Sequence, residues 1–186
     1  DEVVKMLTGE NGIFSTRIVY RLKKGGSYEL VIADYDGFNP RTVLKQTVSL
    51  IYPRWVDDDK ALVFTSFREG RTDLWIRYLA EASSRNLLGH PGLNYSADWS
   101  QKRKEMLVTL SKDGNPELYL VDKNGSLKRR LTHNRAIDCS PNWSPSGREI
   151  AFTSDRSGSP QIYLMEADGS NVRRVSQYGK YNDTPA

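Results

Sequence analysis

Carboxylates, histidines and one thiol are the side chains of this sequence that could carry chemistry. Asp98, Asp138 and Asp183 stand in comparable stretches of the chain, and two carboxylates aimed into one cavity could cleave a glycosidic bond. His90 and His133 lie 43 residues apart. That separation is too long for a local metal motif, and the sequence suggests no third ligand. We therefore expect both histidines in exposed loops.

Structural roles explain four further side chains better than chemistry does: Asp57, Asp58, Asp59 and Cys139. Hard divalent cations prefer carboxylate oxygens, but three consecutive aspartates after a strand are more typical of a solvated turn. The single cysteine cannot form an intrachain disulfide, and it is more typical of a small buried residue than of a nucleophile. The sequence has no nucleophile elbow and no phosphate-binding glycine loop. We predict no catalytic residue, no metal site, no cofactor and no enzymatic activity.

A 44-residue repeat must position these side chains. Trp55, Trp99 and Trp143 follow one another at this step. The same step relates four further sets of residues: Tyr20, Phe64, Val108 and Phe152; Leu30, Leu74, Leu118 and Ile162; Arg41, Arg85, Arg129 and Arg173; and Val43, Leu87, Leu131 and Val175. A period of this length with several short strands per repeat is typical of β-propeller blades. We predict an all-β fold of four-stranded antiparallel blades.

Apolar residues alternate with polar ones within each repeat, as in residues 149–153 and 161–164. This period of two predicts strands that bury one face, and each blade then needs a neighbour to cover that face. We expect the repeated tryptophans to lie buried between adjacent blades, where each indole N–H needs a partner.

The repeat divides the chain into segments. We expect residues 1–15 to form a linker with a short helix that ends near Gly9. The predicted blades span residues 16–46, 47–90, 91–134 and 135–178, and residues 179–186 begin a further copy. The first blade lacks the strand that carries tryptophan elsewhere, because Asn11 occupies that position. The chain stops one residue before the next tryptophan position, so we expect a fragment of a longer propeller.

Charge and hydropathy exclude two classes of partner. The net charge of +4 comes from scattered residues, and arginine recurs once per repeat at the predicted edge strand, where charge discourages aggregation. Nucleic-acid binding needs basic residues focused on one face, so we predict no nucleic-acid partner. The sequence has no apolar stretch of about 18 residues, so we predict no membrane span. Its first residues do not resemble a signal peptide.

Several stretches resemble the TolB family of bacterial propeller proteins. The repeat at 140–147, with 150–154 and 162–163, resembles the TolB-type propeller repeat, which many bacterial propellers share. The stretch 7–20 is more specific and looks like the start of the TolB propeller, and 28–40 looks like its first blade. The resemblance covers essentially the whole chain and implies about four blades of a six-bladed propeller.

The resemblance implies a binding function. TolB proteins are periplasmic components of the Tol-Pal system, which maintains outer-membrane integrity during cell division. The implied partner is Pal, the peptidoglycan-associated lipoprotein, which binds at one mouth of the channel. Colicins can exploit the same surface. TolA would be engaged through an amino-terminal part that this sequence does not contain.

The loops that enter the innermost strands would form that mouth. They comprise residues 48–53, 92–97, 135–141 and 180–185. The positions that match the Pal-facing surface of the family are Leu93, Asn94, Tyr95, Ser96, Asp138, Cys139, Ser140, Tyr181, Asn182 and Asp183.

Two other functions and one assembly stay open at this point. Related repeats occur in propellers that gate serine peptidases, although those enzymes also need a hydrolase domain. A carbohydrate-active propeller would use Asp98, Asp138 and Asp183 as its carboxylates. Residues 181–186 begin an innermost strand, and the first blade lacks one. Open sheet edges seek partners. We therefore expect this segment to fill the vacant position, within one chain or in a symmetric homodimer.

Overall fold

The computed structural model describes residues 5–7, 16–68 and 70–185. Residues 5–7 are helical, whereas Gly9 and most of the expected linker lie outside the described residues. The described strands run as follows: β1 (Arg17–Lys24), β2 (Ser27–Asp34) and β3 (Arg41–Gln46); β4 (Leu50–Val56), β5 (Ala61–Arg68), β6 (Arg71–Tyr78) and β7 (Ser83–Leu88); β8 (Asn94–Ser100), β9 (Glu105–Leu110), β10 (Glu117–Val121) and β11 (Leu127–Arg130); β12 (Asp138–Trp143), β13 (Glu149–Ser154), β14 (Gln161–Glu166) and β15 (Arg173–Arg174).

These strands form four antiparallel sheets, each built from strands that are consecutive in sequence. Three sheets have four strands, and the first has three among the described residues. The Asn11 position, where the first blade would carry its innermost strand, lies outside the described residues, so the absence of that strand stays a prediction. The innermost strands β4, β8 and β12 lie side by side. The prediction of an all-β partial propeller is confirmed.

Three apolar cores lie between neighbouring sheets. Leu30 and Phe64 belong to the core between the first and second sheets. Val63 and Val108 belong to the next core, and Leu118 and Phe152 belong to the third. Because each core takes residues from two sheets, each sheet depends on its neighbour for burial.

The repeated tryptophans lie between neighbouring sheets as the sequence predicts, but only Trp143 is buried, and Trp55 and Trp99 are half-buried. Trp143 is 7% exposed within the third core, and Trp55 and Trp99 pack against the other two. Trp99 Nε1 donates a hydrogen bond to Gln101 Oε1 at 2.6 Å. Trp143 Nε1 is buried and has no hydrogen-bond acceptor among the described residues, so its expected partner is not found there.

A left-handed residue recurs on every innermost strand. Tyr52, Ser96 and Ser140 have φ between 51° and 52°, and Thr184 in the last segment has φ 56°. These four positions also lie 44 residues apart. In β4, β8 and β12 the pairing with the next strand shifts at this point, which marks a β-bulge. The bulge bends each inner strand at the same height along the channel.

The carboxyl segment continues the repeat and does not fill the first sheet. Asn182 N donates to the Pro160 carbonyl at 2.9 Å, and Thr184 N donates to Thr153 Oγ1 at 3.0 Å. Among the described residues, no strand pairs with the free edge of β1. The expectation that this segment fills the vacant position within one chain is therefore wrong, because contacts with the fourth sheet hold it. The homodimer stays a prediction.

The described residues contain no helix with the length and apolar character that a membrane crossing needs.

Replacing Trp143 by alanine should lower the free energy of unfolding by about 3–5 kcal/mol, because the substitution leaves a cavity between the third and fourth sheets. Urea denaturation followed by circular dichroism measures the change. Trp143→Phe is the matched control and should cost clearly less. A loss below about 1 kcal/mol for the alanine variant would contradict the packing described for this ring.

Candidate protein-binding site

Backbone hydrogen bonds place the loops before the innermost strands at one end of the sheets, which we call the mouth. The carbonyl of a loop residue accepts a hydrogen bond from a backbone N–H at the end of the second strand of the same sheet or just after it. This contact recurs three times: Phe67 N to Ser49 O at 2.9 Å, Ser111 N to Leu93 O at 3.0 Å, and Asp155 N to Ile137 O at 3.3 Å. The loops therefore stand at equivalent heights around the channel.

Buried polar side chains fix the connections that lead into these loops. Glu117 is fully buried, and its Oε1 accepts from Asn134 N at 2.9 Å and from Arg130 Nη2 at 3.1 Å. Gln161 occupies the equivalent position in the fourth sheet, and its Oε1 accepts from Asn182 Nδ2 at 2.9 Å. Buried polar groups with such partners specify one backbone arrangement, so the connections are held before any partner arrives.

Asn94 and Asp138, two of the predicted site residues, have no exposed surface. The Asn94 side chain accepts from His90 N at 2.9 Å and donates to the Thr72 carbonyl at 3.1 Å. Asp138 Oδ2 accepts from Arg156 Nη2 at 2.8 Å and from Asn134 Nδ2 at 2.7 Å. Both side chains organise the mouth from within.

Tyr95 and Cys139 lie half-buried on the channel wall. Burial is the main cause that raises the pKa of the Tyr95 phenol, and the neighbouring Cys139 adds to it. Burial also raises the pKa of the Cys139 thiol. Both groups are therefore uncharged at neutral pH, and the thiol lacks the thiolate character that a nucleophile needs.

Asp183 and Tyr181 form the outer part of the last loop. Asp183 Oδ1 accepts from Thr153 Oγ1 at 2.7 Å, and Asp183 Oδ2 accepts from the Tyr181 hydroxyl at 3.1 Å. That hydrogen bond raises the pKa of Tyr181. Asn182 is half-buried beside them, whereas the Tyr181 ring is 67% exposed.

Large exposed side chains occupy one repeated position in three of the mouth loops, and Ser49 occupies it in the loop before β4. Leu93 is 41% exposed, Ile137 is 46% exposed, and Tyr181 continues the same 44-residue step. Tyr52 is 44% exposed and lies with Ser96, Ser140 and Thr184 around a cleft at the channel axis. The mouth therefore presents an apolar surface on a frame of buried polar contacts. We call Leu93, Ile137 and Tyr181 the mouth ring.

Sequence reasoning did not single out Ile137 or Tyr52, although both lie within the predicted loop ranges. The repeat itself holds the signal for Ile137, because Leu93 and Tyr181 flank it at equal spacing. Ser96 and Ser140 are predicted site residues that occupy the left-handed position, and Ser96 is 9% exposed.

The aspartates and histidines that were considered for metal binding lie in separate turns and loops. Asp58 lies in an exposed turn and pairs at 2.9 Å with Lys104 in the turn of the next sheet, in agreement with the solvated-turn interpretation. His133 is exposed, whereas His90 is half-buried. Within residues 5–7, 16–68 and 70–185, no group of three or more His, Cys, Asp or Glu side chains is placed to hold a metal ion.

Asp98 stands on the channel wall between two sheets. Its Oδ2 accepts from Trp143 N at 2.7 Å, and its Oδ1 lies 3.9 Å from Arg54 Nε. Burial raises the pKa of this carboxyl above its ordinary value, although the Trp143 backbone N–H and the Arg54 charge act in the opposite direction. Asp98 thus joins the second, third and fourth sheets at the channel.

Comparison with known proteins identifies the family to which the chain belongs. A sequence profile described as the TolB beta propeller domain matches residues 4–186. The chain belongs to the TolB β-propeller family. The Tol-Pal system protein TolB of Bordetella pertussis is 40% identical over 94 residues, which make up 50% of this chain and 22% of that protein. The TolB of Nitrosomonas europaea is 38% identical over a stretch of the same length.

A solved structure extends the match over nearly the whole chain. TolB from Acinetobacter baumannii is 36% identical with a TM-score of 0.83, and the match covers 98% of this chain and 47% of that chain. The chain thus spans about half the length of that structure. The stretch matched in the curated relatives makes up about a fifth of their length. The resemblance to TolB seen in the repeats is confirmed, and the relatives are components of the Tol-Pal system.

Replacing Asp98 by asparagine should raise the free energy of unfolding at pH 7. The raised pKa means that the folded protein favours the protonated carboxyl of Asp98. The protonated carboxyl contributes its full stability below the ordinary pKa of about 3.9, and this contribution is lost as pH rises through the raised value. Asparagine keeps the acceptor for Trp143 N without the charge. Urea denaturation between pH 7 and about pH 3.5 should show the gain shrinking as pH falls.

Asp168→Asn is the control, and its effect on the free energy of unfolding should have the opposite sign. Hydrogen bonds from Ser170 lower the pKa of Asp168, so its charged form is favoured in the folded protein. That variant should lose stability at pH 7, and the loss should shrink at low pH. A gain for Asp98→Asn that is the same at both pH values would show that charge burial is not its cause.

Proposed function

We propose that this chain is a periplasmic protein-binding scaffold of the Tol-Pal system and that its mouth binds the lipoprotein Pal. In this proposal the protein is not an enzyme, and it supports outer-membrane integrity during cell division. TolA would be engaged by a part of TolB outside this sequence, and colicins would compete for the same mouth. Membership of the TolB family supports the general role, and the mouth ring supports the location.

The mouth ring is the observation that carries the proposal. Three large apolar side chains at one repeated position are between 41% and 67% exposed. Single exposed apolar residues are ordinary, but the recurrence of large exposed side chains at one position of successive mouth loops favours an interaction surface. Tyrosine and large aliphatic side chains are effective anchors, because they bury much area for little conformational entropy.

The polar residues beneath the ring favour a preformed site. Asn94, Asp138 and Asn182 are hydrogen-bonded to neighbouring backbone or side chains. A loop that is already ordered loses less entropy on binding, which improves affinity without new contacts. Leu93, Tyr95, Cys139, Ser140, Tyr181 and Asp183 keep exposed or half-exposed surface and are the predicted residues that we propose to contact Pal.

A matched pair of leucine substitutions tests the location. Leu93→Asp places a charge in the mouth ring and should weaken Pal binding at least tenfold, or about 1.4 kcal/mol. Leu127 lies on the outer strand β11 and is 39% exposed, close to the 41% of Leu93. Leu127→Asp should leave the affinity within about twofold of the parent chain.

Calorimetric titration of soluble Pal into each variant measures the effect, and circular dichroism checks that both variants keep the parent fold. Tyr181→Ala should also weaken binding, because it removes the most exposed ring member. Equal affinity for Leu93→Asp and Leu127→Asp would contradict the mouth as the site. Absence of binding to the folded parent chain would contradict the assignment of Pal as partner.

A further inference from the structure

Three of the four tryptophans carry an arginine of the same chain over their rings. The guanidinium carbon of Arg17 lies 4.9 Å from the ring centroid of Trp55, that of Arg103 lies 5.2 Å from Trp143, and that of Arg68 lies 4.0 Å from Trp75. Trp99 has no cation over its ring among residues 5–7, 16–68 and 70–185, although it repeats Trp55 and Trp143.

The turn of the preceding sheet explains this difference. Arg103 lies in the turn before β9 and reaches Trp143 of the next sheet. The equivalent turn of the second sheet carries Asp59 at the position of Arg103, 44 residues earlier. Aspartate has neither the length nor the positive charge to cover an aromatic ring, so no cation from this turn covers the ring of Trp99.

A cavity of about 100 Å³ lies beside Trp99, between the second and third sheets at the end opposite the mouth. A water molecule takes about 30 Å³ of liquid volume, so the space suits a group of a few heavy atoms. Ile76 and Met106 line the cavity with buried apolar side chains, and Tyr78 and Trp99 contribute aromatic rings. Asp57 and Lys123 contribute one charge of each sign.

Hydrogen bonds hold the Trp99 ring in place. Trp99 Nε1 donates to Gln101 Oε1 at 2.6 Å, and the Gln101 amide donates to Asp58. Asp58 in turn is paired with Lys104. The ring is therefore oriented without a ligand, and Asp57 and Asp59 form no ion pair within the part of the chain that the structure describes.

We propose that this cavity binds the arginine side chain of a polypeptide partner that docks on the end opposite the mouth. A guanidinium is planar and weakly hydrated, and it stacks on tryptophan as three arginines of this chain already do. Its methylene stem fits the apolar lining, and the Asp57 carboxylate supplies the counter-charge. Lys123 is the opposing charge at the rim, and it is exposed enough to turn away.

Indole N–H resonances in a two-dimensional NMR titration test the proposal, with the peptide Ac-Gly-Arg-Gly-NH2 as the probe. Single Trp→Phe variants assign the four resonances. The Trp99 resonance should shift and saturate in the millimolar range, whereas those of Trp55, Trp75 and Trp143 should stay in place, because an internal arginine covers each ring. The same peptide with citrulline has nearly the same shape without the charge, and it should leave Trp99 unchanged.

Two charge variants sharpen the test. Asp57→Asn should weaken binding about threefold and Lys123→Gln should strengthen it by a similar factor, as expected for solvent-accessible charges next to a bound cation. Asp57 has φ +53°, a conformation that asparagine tolerates, so the fold should be kept. Unchanged resonances of the other three indoles verify this.

The proposal is overturned by equal shifts with the citrulline peptide, by all four indoles shifting together, or by a Trp99 resonance that does not respond. It is also overturned if neither charge variant changes the affinity. Pal binding at the mouth does not enter this titration, so failure here leaves the proposed function intact.

Discussion

The rest of the structure depends on buried polar side chains near the start of the third strand of the second, third and fourth sheets. Asp73, Glu117 and Gln161 occupy this position at 44-residue steps and are between 0% and 3% exposed. Glu117 and Gln161 bond the chain that leads to the next sheet. A buried carboxylate or amide without such partners is costly, so each sheet and the loop that follows it adopt their arrangement together. This constraint sets the height of the mouth loops.

Around that frame the two ends of the channel have different chemistry. The mouth exposes Leu93, Ile137 and Tyr181 above buried hydrogen-bonded groups. The opposite end carries charged turns, in which Asp58 pairs with Lys104 and Arg103 covers Trp143. An apolar rim suits a folded protein partner, and an uncovered aromatic ring beside a carboxylate suits a single cation. The same repeated unit therefore carries both of the surfaces that we propose for binding.

The sequence predicts the sheets well, because the step between Trp55, Trp99 and Trp143 is regular and the apolar alternation is clear. It predicts which loops reach the mouth, but not which side chains face outward. Asn94 and Asp138 have the residue types of a surface, yet their loops turn them inward to bond backbone and Arg156. The uncovered ring of Trp99 depends on the reach of one side chain across two sheets, and local sequence rules do not describe that contact.

Hydrogen–deuterium exchange of this chain with and without Pal tests the central claim most directly, because it locates the partner without any substitution. The account predicts slower exchange in residues 92–97, 135–141 and 180–185, and no change in the turns 57–60 and 101–104 at the opposite end. Protection confined to those turns, with the mouth loops exchanging as in the free protein, would contradict it.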